Sequence, residues 1–338
     1  MVWLNGAVQS RRVLWSVVPE QTSSPYVRDI VGSLRGSGWT VEPLSLQRLL
    51  SSTNEIVHIQ WPEHVSRGAS TPATLAKHLR TAPLLGALQA RGHCVVVTAH
   101  NRAPHGTSDA VDSWFRSQLL TRADTIVVLV PGHGTELQAA SAGGTHTEFR
   151  TIPHPIHAPE SPIDQQETRD LLIVLGQIHP YHLIEEFLDG FDPEQCSVDV
   201  LVAGGVGDAE LVDRLENRAR TNDWLTVMPG FADEATLQPH LRRCAAIVSL
   251  QHNTFNSGGP FFALPRNIPI VMSAGAQADD LIATVGPEWV FPVTDPRSLD
   301  CVALHGWLRG GREQPTLERF SLEAITAAHI ELYELLRS

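Results

Sequence analysis

The residues best suited to chemistry in this sequence lie in a polar turn, residues 253–259, that carries two glycines. The turn follows an apolar run, residues 245–250, with the length and composition of a buried parallel strand. A small apolar segment typical of a helix comes next, and a second apolar run at 268–272 closes a βαβ unit. Ligands of open α/β sheets bind at the carboxyl ends of strands, where turn N–H groups suit an anion. The pattern therefore predicts a site for an anion such as a diphosphate.

Apolar runs and amphipathic, helix-like segments alternate along the whole chain. In the first half, the strand-like runs are residues 13–18, 39–44, 55–60, 94–98, 125–130 and 149–152. In the second half, they are residues 171–175, 198–203, 225–228, 245–250, 268–272 and 289–293. This alternation predicts a doubly wound parallel α/β sheet in each half, with the polar loops that follow the strands gathered along one edge.

A proline-rich stretch separates the two halves. Residues 153–169 contain four prolines and no long apolar run, which favours a domain boundary. We therefore predict an N-terminal domain at 1–155, a linker at 156–169, a second domain at 170–315 and a C-terminal helix at 316–338. The apolar stripe of that helix leaves it free to pack back towards the N-terminal domain. The cleft between the domains is the default ligand site.

Composition and charge exclude several classes of protein. A chain of 338 residues with 42% hydrophobic and 18% charged residues is ordinary for a globular protein of two domains. A formal charge of −12 argues against a general nucleic-acid partner. The four cysteines are far apart, which predicts buried thiols in a reducing compartment. With no membrane span and no signal peptide in the sequence, we expect a cytoplasmic protein. No metal-ligand spacing occurs, so no metal site is predicted.

Four stretches of the second half, in this order, resemble the nucleotide-sugar-binding domain of GT-B glycosyltransferases. They are residues 171–187 (LLIVLGQIHPYHLIEEF), 198–205 (VDVLVAGG), 227–237 (VMPGFADEATL) and 256–273 (NSGGPFFALPRNIPIVMS). In the first half, HIQWPE, TAHNRAPH and IPHPI resemble bacterial exopolysaccharide and glycolipid glycosyltransferases of the retaining family related to sucrose synthase. The resemblance implies the GT-B fold, with two Rossmann-like doubly wound domains facing across a cleft.

The resemblance also implies an activity. It indicates a metal-independent hexosyltransferase that moves a hexosyl group from a UDP- or GDP-sugar to a hydroxyl of a glycan, a glycolipid or a small molecule. The expected partners are this nucleotide diphosphate sugar, which is a co-substrate rather than a cofactor, and a carbohydrate or lipid-linked acceptor. Two alternatives stay open: a non-catalytic GT-B relative that binds a glycan or a partner glycosyltransferase, and a nucleotide-sugar epimerase of the same architecture.

Residue by residue, the resemblance assigns a donor site to the second half. In the family, the turn that matches residues 256–259 contacts the diphosphate and sugar through main-chain N–H groups, and Phe231 lies beside the base. Gln177 and His182 occupy the positions of the family's arginine and lysine clamp. The expected donor-binding residues are Gln177, His179, His182, Gly204, Gly205, Phe231, Asn253, Asn256, Ser257, Gly258 and Gly259.

The first half carries the candidates for catalysis and for acceptor binding. His100, which follows a predicted strand, matches a position that faces the donor sugar in many relatives. If the reaction inverts, a base must deprotonate the acceptor, and the candidates are His100, His105 and Glu20. If it retains, the leaving phosphate can accept that proton. The predicted acceptor-binding residues are Tyr26, Trp61 and Asn101. His58, inside an apolar strand, is interpreted as a core histidine.

The helical segment near residues 75–91 has two interpretations. The cationic or titratable residues Lys77, His78, Arg80 and Arg91 flank leucines 75, 79, 84, 85 and 88. Such a surface could contact the inner face of a membrane peripherally and present a lipid-linked acceptor. An ordinary amphipathic helix packed on its sheet explains the same pattern.

Overall fold

The computed structural model describes residues 11–22, 24–62, 65, 71–101, 110–140, 147–159, 169–230, 234–252 and 255–338. Within it, the chain divides into two compact units. The first unit comprises Met1–His154 together with Ser321–Ser338, and the second comprises Pro155–Phe320. The division after His154 falls at the start of the proline-rich stretch.

The first unit is built on a parallel sheet. Its strands are β1 (Arg12–Trp15), β2 (Thr40–Pro43), β3 (Ile56–Gln60), β4 (Cys94–Ala99), β5 (Thr125–Val128) and β6 (Glu148–Thr151). They pair in the order β2-β1-β3-β4-β5-β6, and each pair is parallel. The chain adds β2 on one side of β1 and β3 on the other, so the order reverses between β1 and β3. At such a switch point the carboxyl ends of the strands open a crevice for ligands.

The second unit is built on a similar sheet. Its strands are β7 (Leu171–Leu175), β8 (Asp199–Gly204), β9 (Leu225–Pro229), β10 (Cys244–Ser249), β11 (Ile270–Ser273) and β12 (Val290–Val293). They pair in the order β12-β11-β10-β7-β8-β9, again in parallel. The switch point here lies between β7 and β10, and this is the strand order of dinucleotide-binding Rossmann domains.

Helices connect the strands of both sheets. In the first unit they are α1 (Pro25–Gly36), α2 (Leu46–Ser51), α3 (Thr71–Ala90), α4 (Ala110–Arg122) and α5 (His133–Ala140). In the second unit they are α6 (Ile184–Gly190), α7 (Pro193–Cys196), α8 (Ala209–Ala219), α9 (Glu234–Arg243), α10 (Gly259–Ala263), α11 (Ala276–Val285) and α12 (Cys301–Leu308). A last helix, α13 (Leu322–Leu335), returns to the first unit.

The central strands are apolar throughout because both of their faces are covered. Successive side chains of β7 enter two different cores: Leu172 and Val174 pack into one, and Leu171 and Ile173 into the other. This alternation follows from the two-residue period of a strand. All residues of β10 are buried for the same reason. The predicted pair of doubly wound α/β sheets is confirmed.

The last helix begins at Leu322 rather than at residue 316 as predicted. The hydroxyl of Ser321 accepts a hydrogen bond from the N–H of Ala324 at 3.1 Å and caps the helix. Phe320, predicted to share its apolar stripe, instead packs in the core of the second unit. Tyr333 packs in the core of the first unit, where its hydroxyl accepts a hydrogen bond from Trp15 Nε1 at 3.2 Å. The predicted single stripe therefore serves two units.

The first residues of the predicted linker belong to the second unit. The N–H groups of Ile156 and His157 donate to the carbonyls of Phe320 and Phe261 at 2.8 and 2.9 Å. Arg266 Nη1 adds a bond of 2.8 Å to the His157 carbonyl. Residues 160–168 of the predicted linker lie outside the described residues.

Candidate functional site

We call the loops that follow β7, β8, β10 and β11 the second-unit edge. They are residues 176–183, 204–207, 251–252 with 255–259, and 273–275. Glycine is required where two of these loops meet, because a Cβ on Gly204 would lie 1.5 Å from the carbonyl oxygen of Gly176. Gly204 also has a φ of 151°. A Cβ on Gly205 would meet no atom within 4 Å. The pair therefore differs: packing explains Gly204, and open space surrounds Gly205.

Three aromatic rings line the loop that follows β7. The ring centroids of His179 and Tyr181 lie 4.6 Å apart, and those of Tyr181 and His182 lie 4.1 Å apart. His179 Nδ1 accepts a hydrogen bond from the N–H of Tyr181 at 3.3 Å, so its Nε2 is the nitrogen that can donate to a ligand. Gln177 is exposed. These side chains offer an amide and imidazoles as hydrogen-bond donors near Gly176, where the backbone carries no side chain.

The turn that follows β10 is held by a side chain that the sequence did not single out. Gln277, on α11, accepts from the N–H of Ser257 at 2.8 Å and donates to its carbonyl at 2.9 Å. Its amide nitrogen also lies 3.3 Å from Asn256 Oδ1. Ser249 and Ser257 bond through their hydroxyls at 2.7 Å. Gln277 and Ser257 are each 3% exposed, so the turn is fixed from inside the unit.

This fixation changes which N–H groups can face a ligand. Gln277 occupies the N–H of Ser257, and the N–H of Gly259 lies 3.3 Å from Ser257 Oγ. Gly258 is exposed, and a Cβ at that position would meet no atom within 4 Å. By contrast, a Cβ on Gly259 would lie 3.0 Å from the Cβ and Oγ of Ser249, so a side chain at that position would be crowded. The predicted residues Asn256, Ser257, Gly258 and Gly259 thus lie together, with Gly258 outermost.

The second-unit edge is electrically neutral apart from histidines. As far as the structure describes these loops, they contain no arginine, lysine, aspartate or glutamate. The nearest histidines in sequence to the two central strands are His179, His182 and His252. A diphosphate held here would depend on N–H groups, amides and imidazoles rather than on fixed cations.

We call the residues that follow β1, β3 and β4 the first-unit edge: residues 16–22, 61–62 and 100–101. A chain of buried polar groups reaches it from the interior. His100 Nε2 lies 2.6 Å from Gln60 Oε1, and the Gln60 amide nitrogen lies 3.1 Å from Thr98 Oγ1. His58 continues the chain, with Nε2 2.7 Å from Thr98 Oγ1 and Nδ1 2.6 Å from the Tyr333 hydroxyl. His58 is therefore a buried, hydrogen-bonded core histidine, as predicted.

Aromatic rings enclose His100. The ring of Trp61 stacks on it with centroids 4.0 Å apart and an interplanar angle of 15°. Tyr26 meets His100 edge to face at 5.0 Å and also contacts His154 at 4.9 Å. Burial raises the pKa of Tyr26, with a nearby Thr98 hydroxyl opposing the shift, so the phenol stays neutral. The predicted residues Tyr26, Trp61 and His100 thus form one cluster.

Two other predicted residues occupy different surroundings. Glu20 is an exposed carboxylate on the turn Pro19–Gln21, where it pairs with Arg35 at 2.7 Å. The hydrogen bond from Arg35 lowers the pKa of Glu20, which makes the carboxylate a weaker proton acceptor. Asn101 follows His100 directly, and its carbonyl accepts from Arg116 Nη2 at 2.6 Å. The predicted residues His105, Phe231 and Asn253 lie outside the described residues.

A cavity of about 1020 Å³ opens beside the first-unit edge. It is lined by leucines, hydroxyl groups and two cationic side chains: Ser16, Gln21, Leu44, Ser45, Leu46, Gln47, Leu50, Ser51, Val65, Lys77, Arg80, Thr81 and Leu84. No carboxylate belongs to the described part of this lining, and Lys77 is the only lysine in the sequence. The cavity offers positive charge next to apolar surface.

Most of the α3 leucines are core residues. Leu84, Leu85 and Leu88 are at most 7% exposed, whereas Leu79 is 72% exposed. His78 lies 3.5 Å from the buried carboxylate of Asp112. Among the α3 leucines whose side chains are described, Leu79 is thus the one that exposes apolar surface. No described helix is both long enough and apolar enough to span a bilayer.

No metal-binding cluster of three histidine, cysteine or carboxylate side chains occurs among the described residues. The four cysteines carry free thiols, as the sequence predicts. The described residues of the two edges supply imidazoles, amides, hydroxyls, main-chain N–H groups and, in the first unit, the carboxylate of Glu20.

Comparison with known proteins extends over most of the chain. No family model matches it. The chain is 25% identical over 304 residues to the GDP-mannose:glycolipid 4-beta-D-mannosyltransferase of Xanthomonas campestris pv. campestris, which covers 88% of this chain and 82% of that protein. A second sequence of the same name, also from Xanthomonas campestris pv. campestris, matches to the same extent.

Solved structures resemble the whole fold at low sequence identity. Sucrose-phosphate synthase from Thermosynechococcus elongatus matches with a TM-score of 0.65 and 16% identity over 96% of this chain and 98% of its own. HepE from Anabaena, solved with UDP and glucose, matches with a TM-score of 0.65 and 10% identity over 96% of this chain and all of its own. These likenesses confirm the predicted GT-B fold.

Proposed function

We propose that this chain, which is a glycosyltransferase of the GT-B fold, transfers a mannosyl group from GDP-mannose to a hydroxyl of a glycolipid. The observation that carries the proposal is the second-unit edge. At the switch point between β7 and β10 it presents an exposed Gly258, neutral side-chain donors and, in its described part, no carboxylate to repel a diphosphate. Open α/β sheets bind nucleotides at this position.

The choice of donor and acceptor comes from a relative. The Xanthomonas protein that matches 88% of this chain is named for GDP-mannose, for a glycolipid and for a 4-beta-D-mannosyl product. We therefore take GDP-mannose as the first donor to test, and an amphiphilic glycoside as the first acceptor.

In the proposed reaction the acceptor oxygen forms a bond to the anomeric carbon of the sugar. The bond from that carbon to the diphosphate oxygen breaks, and the nucleoside diphosphate leaves with the electron pair. The acceptor proton passes to His100, the candidate base that is enclosed by aromatic rings and hydrogen-bonded to Gln60. Glu20 is less suited to this role, because Arg35 lowers its pKa.

The leaving diphosphate would be stabilised without a fixed positive charge. Main-chain N–H groups near Gly258 and the side chains of Gln177, His179 and His182 are the available donors. Preorganised donors aimed at developing charge usually supply the largest share of such catalysis. The clamp of Gln277 on Ser257 supplies that preorganisation, because it holds the turn before the donor arrives.

The acceptor would bind to the first unit. The cavity beside the first-unit edge combines Lys77 and Arg80 with leucines, as an amphiphile with an anionic group requires. We propose that this rim, with the exposed Leu79, also contacts the membrane that carries the glycolipid, so that the protein is peripherally bound.

Donor binding and turnover test the first part of the proposal. We expect GDP and GDP-mannose to raise the unfolding temperature more than UDP and UDP-glucose do. Incubation of the protein with GDP-mannose and octyl glycosides should release GDP and give a mannosylated glycoside in the mass spectrum. If none of these nucleotides raises the unfolding temperature, the proposal is contradicted. If only UDP and UDP-glucose raise it, the donor is a UDP-sugar instead.

The single lysine gives a direct test of the acceptor site. The only amines that an acetylating reagent can modify are the side chain of Lys77 and the chain's α-amino group, and the latter serves as the internal control. Vesicles of phosphatidylcholine with phosphatidylglycerol should protect Lys77, while pure phosphatidylcholine vesicles should protect it less. Equal labelling of Lys77 with and without both kinds of vesicle contradicts the membrane contact. The variant Lys77→Ala should raise the KM for an anionic acceptor a few-fold, roughly the effect of one exposed ion pair, and leave the KM for GDP-mannose unchanged.

One observation favours a second function. Because the described part of the second-unit edge lacks the arginine and lysine that clamp the diphosphate in relatives, the chain could bind a nucleotide sugar without transferring it. GDP-mannose that binds but is neither hydrolysed nor transferred to any acceptor would support this non-catalytic role. Turnover with any acceptor excludes it.

A further inference from the structure

The hydrogen bond between His100 and Gln60 defines the protonation of the imidazole. His100 Nε2 lies 2.6 Å from Gln60 Oε1, and an amide oxygen can only accept. The proton in this bond therefore resides on Nε2 of His100. A neutral imidazole carries one proton, so the basic lone pair is then on Nδ1.

The orientation of the Gln60 amide is set from its other side. The amide nitrogen lies 3.1 Å from Thr98 Oγ1 and 3.0 Å from His58 Nε2. The threonine hydroxyl can accept from this nitrogen in either tautomer of His58, so the nitrogen has an acceptor and the oxygen faces His100. Gln60 and Thr98 are fully buried, so water does not compete for these bonds.

The backbone of Gln60 is also fixed. Its N–H donates to Ser16 Oγ at 2.8 Å, and the same hydroxyl donates to its carbonyl at 2.8 Å. Ser16 follows β1, so these two hydrogen bonds tie the ends of β1 and β3 together at the switch point. Both the peptide group and the side chain of Gln60 are therefore held where β3 ends.

The far end of the chain lies on α13. The Tyr333 hydroxyl bonds to His58 Nδ1 at 2.6 Å and accepts from Trp15 Nε1 at 3.2 Å. Burial, followed by the nearby His329 and His100, holds the pKa of His58 well below its usual range. His58 thus stays neutral and serves as a fixed hydrogen-bonding link.

We propose that Gln60 is a positioning residue for the transfer reaction: it holds His100 in the tautomer with hydrogen on Nε2, so that Nδ1 takes the acceptor proton. This inference rests on the proposed function, in which His100 is the base. When Nδ1 takes the proton the imidazole becomes a cation, and Nε2–H remains bonded to the Gln60 oxygen. Thr98, His58 and Tyr333 hold the Gln60 amide in the orientation in which its oxygen faces His100.

Tyr26, His154 and His58 are titratable groups near His100 in the described part of the first unit. Tyr26 contacts the ring and stays neutral because burial raises its pKa. His154 lies behind Tyr26, and His58 faces the far side of Gln60. Arg116, on α4, donates to the carbonyl of Asn101. The amide oxygen of Gln60 is a neutral acceptor for Nε2 of His100, and it orients the ring together with the stacked Trp61 and the edge of Tyr26.

Two variants of Gln60 separate positioning from packing. Gln60→Met keeps the length of the side chain but removes the acceptor, whereas Gln60→Glu keeps an acceptor oxygen and places a charge in the core. Positioning predicts that kcat falls roughly tenfold to a hundredfold in Gln60→Met and is largely retained in Gln60→Glu, with the KM for GDP-mannose unchanged in both. If Gln60 only fills space, kcat should be higher in Gln60→Met than in Gln60→Glu, and that result overturns the proposal. Thr125→Val, which removes another buried hydroxyl of the same sheet, is the control.

Nuclear magnetic resonance of the wild-type protein tests the tautomer without any turnover. In a sample with ¹⁵N-labelled histidine, the His100 signals, assigned by comparison with His100→Gln, should show a protonated Nε2 and a bare Nδ1 at neutral pH. A bare Nε2 with a proton on Nδ1 overturns the inference. Because this measurement needs no substrate, it distinguishes a wrong tautomer from a wrong proposed function.

Discussion

The two switch points of this protein have related topologies and different chemistry. At the first-unit edge, the polar groups are side chains: His100, Gln60 and His58 form a buried chain of hydrogen bonds that ends at Tyr333. At the second-unit edge, the main chain is prominent, with glycines at 176, 204, 258 and 259 and a turn fixed by Gln277. Both sheets are parallel and reverse their strand order once.

Under the proposed function, the difference suits the two edges to two tasks. A base requires one titratable group in a defined tautomer, and a buried network of side chains provides that. A diphosphate requires several donors at close range, and a glycine-bearing turn provides N–H groups that no side chain obstructs. We infer that the first-unit edge performs the proton transfer and the second-unit edge binds the donor.

The largest expected effect concerns His100. His100→Ala should lower kcat by roughly a hundredfold to ten-thousandfold, the usual contribution of a general base, and leave the Kd of GDP unchanged. Stopped assays of GDP release, together with calorimetric titration of GDP, measure the two quantities. Glu20→Gln, which changes an exposed carboxylate, should keep nearly full activity. A His100→Ala protein as active as the wild type would remove the assignment of proton transfer to the first-unit edge.

The buried histidines of the first unit should also make its stability depend on pH. Burial lowers the pKa of His329 to about 4. The unfolded chain takes up this proton near pH 6.5, so the free energy of unfolding should fall by up to roughly 3 kcal/mol as the pH drops from 6.5 to 4, and be unaffected above 6.5. His58, whose pKa is also lowered, acts in the same direction.

Replacing His329 isolates its share of this dependence. His329→Leu should flatten the plot of unfolding free energy against pH in urea titrations, while the exposed Gln314→Leu, which changes no titratable group, should leave its slope intact. An unchanged slope in His329→Leu would show that the ring is not held neutral in the core.

At the second-unit edge, loss of the Gln277 clamp should affect donor binding. Gln277→Ala removes two hydrogen bonds to the main chain of Ser257, so the KM for the donor should rise roughly tenfold while kcat changes less. Initial rates at varied GDP-mannose measure this, with the exposed Gln314→Ala as the matched control. If kcat falls and the KM does not, the turn acts in catalysis rather than in binding.

The smallest expected effect is a gain. Gln177→Arg combined with His182→Lys places fixed cations at the positions where the resemblance predicts a clamp, so the Kd of GDP should fall roughly fivefold to tenfold through charge-assisted bonds. Gln195→Arg adds a charge elsewhere on the second unit and should change the Kd little. If both proteins bind GDP like the wild type, the loop after β7 does not face the diphosphate.

The sequence predicted the sheets well because their signal is local. For example, the apolar run at residues 171–175 matches the observed strand β7 residue for residue. Both faces of the sheet are covered by helices, which explains why polar and apolar residues do not alternate along such runs. Helix ends were less predictable. The apolar stripe that predicted one helix from residue 316 includes Phe320 and Leu332, which pack in the cores of different units. The helix begins only after the Ser321 cap, so Phe320 lies outside it.

The site residues that the sequence predicted follow strands, whereas the two amides that the structure adds lie inside elements. His100 and the turn at residues 256–259 stand at the carboxyl ends of β4 and β10, where ligand sites are expected. Gln60 ends β3 and Gln277 lies in the first turn of α11, where an amide has no distinctive pattern. One signal was available: His58 and Gln60 are two residues apart in an apolar strand, so both point to the same face. What they contact depends on strands and helices distant in sequence.

Hydrogen exchange on the wild-type protein tests the assignment of the donor to the second-unit edge most directly. The rate at each backbone amide is measured by mass spectrometry with and without saturating GDP-mannose. The account predicts slower exchange in peptides that cover residues 176–183 and 255–259, and little change in peptides that cover residues 16–22 and 56–62. Protection confined to the first unit, or no protection at either edge, would contradict it.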